Sequence, residues 1–394
     1  MKRLLLAMCL AVGLFAQSEG LLEQADEAFR QGNLARASTL ARQALAHDPG
    51  AVHGHMILGV IAAQKNQWDT SNRHFEAVVR LDPSSPYGYF YLGQARLYQK
   101  QWEKAVQYFA KALDLQYPDR ERLMIEMALA QNEAGRPQQA LSILAKIEPP
   151  ADERLAAQYH AVTAFAQIKL NGSAPAIEAI RRALQLDESR VEYWDFLIST
   201  LIKADQNPQA LAEAIRAQKK FPDHPDIQFL FALASYHVTE SPLSGLALRN
   251  LREADPDSAR VQLAEGLLYR KQGKTEEATS AFRRAAARGV PDARLLLGII
   301  YKENGEYEAA EREFREAERL NPRNGQVMLE VGKLFLARGD LEQARIRFEK
   351  AAEYMPDAPA VHYQLGLIYR RLGQVEKAQH HLRLSKDPVD SVRK

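Results

Sequence analysis

The sequence predicts an all-α chain, a solenoid of about eleven helix–turn–helix units, and three observations carry that prediction. Prolines recur at a fixed distance: Pro49 to Pro83, Pro222 to Pro256 and Pro322 to Pro356 are each 34 residues apart. Between them, stretches that are apolar almost all round alternate with stretches carrying one apolar stripe and a charged back, both at helical spacing. Glycines such as Gly305 and Gly339 stand where one stretch gives way to the next. A helix pair of that length cannot bury its apolar faces alone, so neighbouring pairs must stack.

Taken in order, the chain opens with MKRLLLAMCLAVGLFAQ, in which Lys2 and Arg3 precede an apolar run from Leu4 to Phe15. Twelve residues are too few for a membrane span, which needs roughly 18 or more, and the layout is that of a secretory signal peptide over residues 1–16. Cleavage after Ala16 would leave a chain exported to the periplasm or secreted, with no membrane span. The alternatives are a tether through an uncleaved signal anchor or through a lipidated Cys9. Cys9 is the only cysteine, so the processed chain would have no disulfide or thiolate metal site. Removing Lys2 and Arg3 leaves 50 basic residues against 50 acidic ones. That balance gives no electrostatic reason to expect nucleic acid or an anionic membrane as partner.

The solenoid itself is expected over 17–387, with units at about 18–51, 52–85, 86–120, 121–156, 157–190, 191–224, 225–258, 259–290, 291–324, 325–358 and 359–387, and a polar tail at 388–394. The first unit keeps Gly32, Ala37, Ala44 and Pro49; the second keeps Leu58, Gly59, Trp68, Phe75 and Pro83; the third keeps Leu92, Gly93, Trp102, Ala105 and Phe109. Units four to seven depart from the pattern, replacing the first-helix glycine by Ala128, Ala164, Ile198 and Ala232. Because a solenoid's stability is close to a sum of unit and interface terms, these four are expected to be its weakest stretch. The full pattern returns with Gly266, Tyr269, Gly273, Ala278 and Phe282, and again with Gly332, Gly339, Ala344 and Phe348. The last helix, about 375–384, carries Glu376, Lys377, His380, His381 and Arg383 around few apolar residues, as a capping helix should.

The unit 291–324 shows the physics most plainly. Leu295, Leu296, Leu297, Ile299, Ile300 and Tyr301 surround its first helix, whereas Tyr307, Ala310, Phe314 and Ala317 make one stripe on its second. Gly305 ends the first helix as a left-handed glycine does, and Asn321-Pro322 ends the second. Gly298 and Ala310 are the small residues expected to let the two helices meet. Leu297-Gly298-x-x-Tyr301, followed by Ala310-x3-Phe314 and Pro322, resembles the tetratricopeptide repeat, with Arg294 standing where that family has a leading aromatic residue. The resemblance implies a right-handed α-solenoid whose concave surface holds an extended peptide or partner protein.

No chemistry-bearing motif competes with that reading. Gly273-Lys274-Thr275 imitates the end of a phosphate-binding loop, but Leu268 stands where the first glycine belongs and a helix precedes it. His53 and His55 point to different helix faces, and His380 with His381 read as a solvated cap face. Asn171-Gly172-Ser173 fits a glycosylation sequon and, more simply, a turn. No catalytic residue, metal site or cofactor is therefore expected.

Two function classes remain: a scaffold for other proteins or extended peptides, and an accessory protein handling a polysaccharide or other polymer in the superhelical groove. In the family it resembles, first-helix positions two, five, nine, twelve and thirteen face the concave side. In unit three these are Tyr87, Phe90, Gln94, Leu97 and Tyr98; in unit seven they are Asp226, Phe229, Leu233, Tyr236 and His237. Aromatic groups offer large contact area at low entropic cost. Tyr87, Phe90, Leu97 and Tyr98, with Phe229 and Tyr236 as a second patch, are thus the candidate ligand contacts, weighed against packing on the neighbouring unit.

Overall fold

The computed structural model describes residues 17–170, 172–238, 243–255, 258–356 and 358–386. The expected signal segment with Cys9, Asn171 of the sequon and the polar tail lie outside the described residues. Twenty-two helices and no strands make up what is described. Their described residues form two compact bodies, one over residues 17–170 with 174–187, the other over 188–386 with 172–173.

The first body runs through α1 (17–30) and α2 (Leu34–His47), α3 (Val52–Gln64) and α4 (Trp68–Leu81), and α5 (Pro86–Tyr98) and α6 (Trp102–Asp114). It ends with α7 (Arg120–Glu133) and α8 (Pro137–Leu144), then α9 (Glu153–Leu170) and α10 (Ser173–Leu186). The second runs through α11 (Val191–Lys203) and α12 (Asn207–Lys220), α13 (Pro225–His237) and α14 (Ser244–Ala254), and α15 (Ala259–Lys271) and α16 (Thr275–Ala287). Its last pairs are α17 (Pro291–Glu303) and α18 (Tyr307–Leu320), α19 (Gly325–Ala337) and α20 (Leu341–Tyr354), and α21 (Pro359–Arg371) and α22 (Val375–Leu384). Within the first body α3 also touches α5, α5 touches α7 and α7 touches α9; within the second α11 touches α13, α13 touches α15 and α17 touches α19. First helices therefore line up beside one another along one face of each body, as in an α-solenoid.

In ten of the eleven pairs the turn is fixed by one left-handed residue, the turn between α13 and α14 lying partly outside the described residues. Gly305 takes it at φ +80°, as expected, and Gly273 at φ +73°, so Gly273-Lys274-Thr275 is the turn into α16. Asn66, Lys100 and Asp205 hold the equivalent place at φ 56°, 59° and 56°, a conformation that costs a residue with a Cβ.

The close approach of the two helices also involves a ring that the sequence reading did not place there. A Cβ on Gly298 would collide first with the ring of Phe314. The same pairing recurs sixteen residues apart: a Cβ on Gly59 would lie 2.8 Å from Phe75, and one on Gly93 2.5 Å from Phe109. Gly266 meets Phe282 and Gly332 meets Phe348 in the same way, while Gly366 meets Leu382. A ring set against a bare backbone stretch buries more area than two small residues could, and Phe75, Phe109, Phe282, Phe314 and Phe348 are among the largest fully buried side chains.

In four first helices the fourth position, where the family motif has its aromatic, reaches back to a carbonyl of the loop that precedes the pair. Trp194 Nε1 donates to the carbonyl of Glu188 at 2.9 Å, and Gln228 Nε2 donates to that of Pro222. His55 and His362 place Nε2 at 3.2 Å and 2.6 Å from the carbonyls of Pro49 and Pro356. That donation leaves their Nδ1 as the acceptor, and a second histidine meets it: His74 Nδ1 lies 3.0 Å from His55 Nδ1, and His381 Nδ1 lies 3.0 Å from His362 Nδ1. His381 is thus not a solvated cap residue beside exposed His380. It is half-buried and stacks on Tyr369 with centroids 5.4 Å apart. Burial, then the neighbouring histidine, pulls the pKa of His74 and of His381 down to about 4. His53 faces elsewhere, pairing with Asp26 at 2.6 Å.

Candidate functional site

In the first body the structure separates the candidates on α5. Phe90 is 0% exposed, stacked on Tyr117 at 4.3 Å and packed on Phe109, so it belongs to the core. Leu97 is buried in the same cluster. Tyr87 remains 40% exposed, edge-on to Tyr117 at 5.4 Å, and Tyr98 is 63% exposed, stacked on Trp68 at 4.5 Å. Eleven residues of helix hold those two tyrosines about 16 Å apart, so they are two separate contacts and not one patch. Gln94 is engaged as a donor to Glu126 at 3.2 Å, and burial pushes the Glu126 carboxyl above the usual range.

The second body brings its candidates together. Phe229 and Tyr236, both half-buried, line a groove of about 720 Å³ with the other three predicted positions of their repeat, Asp226, Leu233 and His237. The same positions of the adjoining first helices complete it. Asp195, Ser199, Ile202 and Lys203 come from α11, Arg260, Leu263, Leu267 and Arg270 from α15, and Asp292 and Leu295 from α17. Leu230, Leu296, Asn324 and Gln326 close it. Its lining combines aliphatic and aromatic side chains with charged ones.

That charge is partly committed. Arg260 pairs with Asp226 and lies 5.5 Å over the Phe229 ring, and Arg270 pairs with Glu303 at 3.2 Å. Asp195 accepts from Ser199 Oγ at 3.2 Å. Asp292 is open to water through the groove yet crowded by protein, which raises its carboxyl pKa, with Lys203 opposing. Burial lowers His237, leaving it a neutral imidazole at pH 7. The arrangement suits an amphipathic chain segment, with apolar walls for its side chains and polar groups for its ends.

The comparisons with known proteins agree with this construction. The tetratricopeptide repeat is matched at residues 22–86, 246–294 and 263–325, and in a second form at 86–118; a further TPR repeat is matched at 332–373. The chain carries tetratricopeptide repeats. Among solved structures, yeast Tom70 is similar over 96% of this chain and 92% of its own, at 12% identity and a TM-score of 0.51. The Cut9–Hcn1 hetero-tetramer of the APC/C is similar over 95% of this chain and 87% of the other, at 12% identity and a TM-score of 0.50. At such identity both establish the fold only. No curated protein matches the chain.

With the tetratricopeptide frame in hand, the residues missed from sequence are readily explained. Asp195, Ser199, Lys203, Arg260, Leu263, Leu267, Arg270 and Asp292 occupy the very positions read off for repeats three and seven. Applying the rule to repeats six, eight and nine would have found them; the preference for aromatic residues passed them over. Among the described residues no group of three or more His, Cys, Asp or Glu is placed to hold a metal, and no helix is long and apolar enough to cross a membrane.

Proposed function

We propose that this protein is a non-catalytic interaction scaffold, exported to the bacterial cell envelope, which holds an extended segment of a partner protein in the groove of its second body. The observation that carries the reading is the convergence of four consecutive first helices, α11, α13, α15 and α17, on one apolar-walled groove through their family-defined inner positions. Its volume lies in the roughly 300–1,000 Å³ range of ligand pockets, enough for a few side chains of a segment. Export rests on the charged start and short apolar run of residues 1–16.

Cross-linked capture from the native envelope, followed by mass spectrometry, tests the binding role. Leu233→Arg and Tyr236→Ala should lose the partner captured by the parent while keeping a parent-like unfolding transition. Capture that survives both changes in folded protein moves the site elsewhere, and Tyr87→Ala with Tyr98→Ala then tests the exposed tyrosines of the first body. N-terminal sequencing of cell-associated protein should begin near Gln17. An intact Met1 on cytosolic material would overturn export, and lipid on Cys9 would replace the soluble form by an anchored one.

A further inference from the structure

The groove contains more acid than its own bases neutralise. Seven of its lining residues can carry charge near neutral pH: Asp195, Asp226 and Asp292 against Lys203, Arg260 and Arg270, with His237 neutral. Two of the bases are already used. Arg260 is held by Asp226, and Arg270 is drawn to Glu303, an acid outside the lining. Asp195 and Asp292 are then left facing the groove with Lys203 alone. Neither acid makes an ion pair: Asp195 has only the Ser199 hydroxyl, and Asp292 feels Lys203 through space without a hydrogen bond to it. A carboxylate crowded by protein and lacking a donor is costly, and a cation brought to it repays more there than at an open surface. Around it, Phe229, Leu233, Tyr236, Leu267 and Leu295 offer apolar walls.

We propose that the segment held in the groove is a short peptide stretch with one Lys or Arg beside two large apolar side chains, the basic group facing Asp292 and the apolar pair entering between Leu233, Tyr236 and Leu267. This rests on the peptide-binding reading above and narrows it by charge. The cation is the selecting element, because apolar walls alone discriminate poorly among aliphatic and aromatic side chains.

Randomised heptapeptides displayed against the full chain provide the test, with one enriched peptide then synthesised with lysine and with norleucine at its basic position. Peptides should be enriched for Lys or Arg next to two apolar residues. Norleucine should lose tenfold or more in affinity on the parent and little on Asp292→Asn, and Asp292→Lys should reverse the selected charge. Raising salt should weaken the lysine peptide and leave the norleucine peptide nearly unchanged. An equal loss on parent and Asp292→Asn, or enrichment with no basic residue, overturns the charge assignment. Enriched peptides that bind Leu233→Arg as well as the parent instead overturn the groove as the binding site, so the two failures are separate. Thermal melts of each variant confirm that the fold is intact in every arm.

Discussion

In repeats two, three, eight, nine and ten a glycine of the first helix lies under a phenylalanine of the second, as Gly298 does under Phe314. In repeats four to seven the same two places hold Ala128 with Leu144, Ala164 with Ile180, Ile198 with Ala214, and Ala232 with Leu248, each of them buried. Where the first-helix residue grows, the second-helix residue shrinks, and in repeat six the two exchange roles outright. Cores tolerate such changes when total volume is kept. The departure from the family pattern that marks repeats four to seven as weak in sequence is therefore largely repaired in space. One local gap is a space of about 10 Å³ lined by Ala232 and Leu248 together with Phe229, Tyr236 and Leu267. At about 24 cal/mol per Å³ a gap of that size costs only a few tenths of a kcal/mol.

The comparison breaks most readily in repeat nine. Phe314→Ala should cost about 3–5 kcal/mol in chemical denaturation, the usual loss for a buried phenylalanine. Gly298→Leu should cost about 1–3 kcal/mol through the collision with that ring, less about 1 kcal/mol of regained helix propensity. Installing the central solution, Gly298→Ala with Phe314→Leu, should cost less than the two single changes added together. Additivity within about 0.5 kcal/mol would show that the two places do not compensate.

A smaller gain is expected at the turns. Lys100 sits at φ 59° where Gly305 and its equivalents sit without strain, so Lys100→Gly should stabilise by about 1 kcal/mol or less. An unchanged melting temperature would mean that the strain is relieved elsewhere.

The histidine pairs in repeats two and eleven predict a pH dependence of stability. His74 and His381 bind a proton less readily folded, at about 4, than unfolded, at 6.5, so the unfolded chain takes up more protons between those values. Their contribution is complete above pH 6.5 and is lost as pH falls toward 4. The parent should therefore lose melting temperature across that window faster than the His74→Gln, His381→Gln double variant; parallel curves would sink the assignment.

The smallest effect concerns opening. Amides of α13 and α14, around the small gap, should exchange somewhat faster than those of α17 to α20, with repeats four to six close to the regular ones. Uniformly fast exchange from repeat four to repeat seven would restore the weak centre expected from sequence.

The sequence alone determined the period, the alternation of all-round and striped helices and the left-handed turn at Gly305, because each depends on local spacing or on a single residue's backbone freedom; the inner-face positions of repeat seven were implied by its resemblance to the tetratricopeptide repeat. Tertiary structure decided whatever depends on which neighbour arrives. Phe314 comes nearest to Gly298, since a ring sixteen residues on reaches across the hairpin. Phe90 and Tyr98 stand on one helix at positions of equal apparent promise, yet Phe90 is sealed by Tyr117 and Phe109 while Tyr98 keeps 63% of its surface. His381, polar and adjacent to another histidine, reads as a surface residue until His362 and Tyr369 are seen beside it. The acid left over at Asp292 is likewise invisible in a balanced composition, because charge compensation is decided by distance across the groove and not by count.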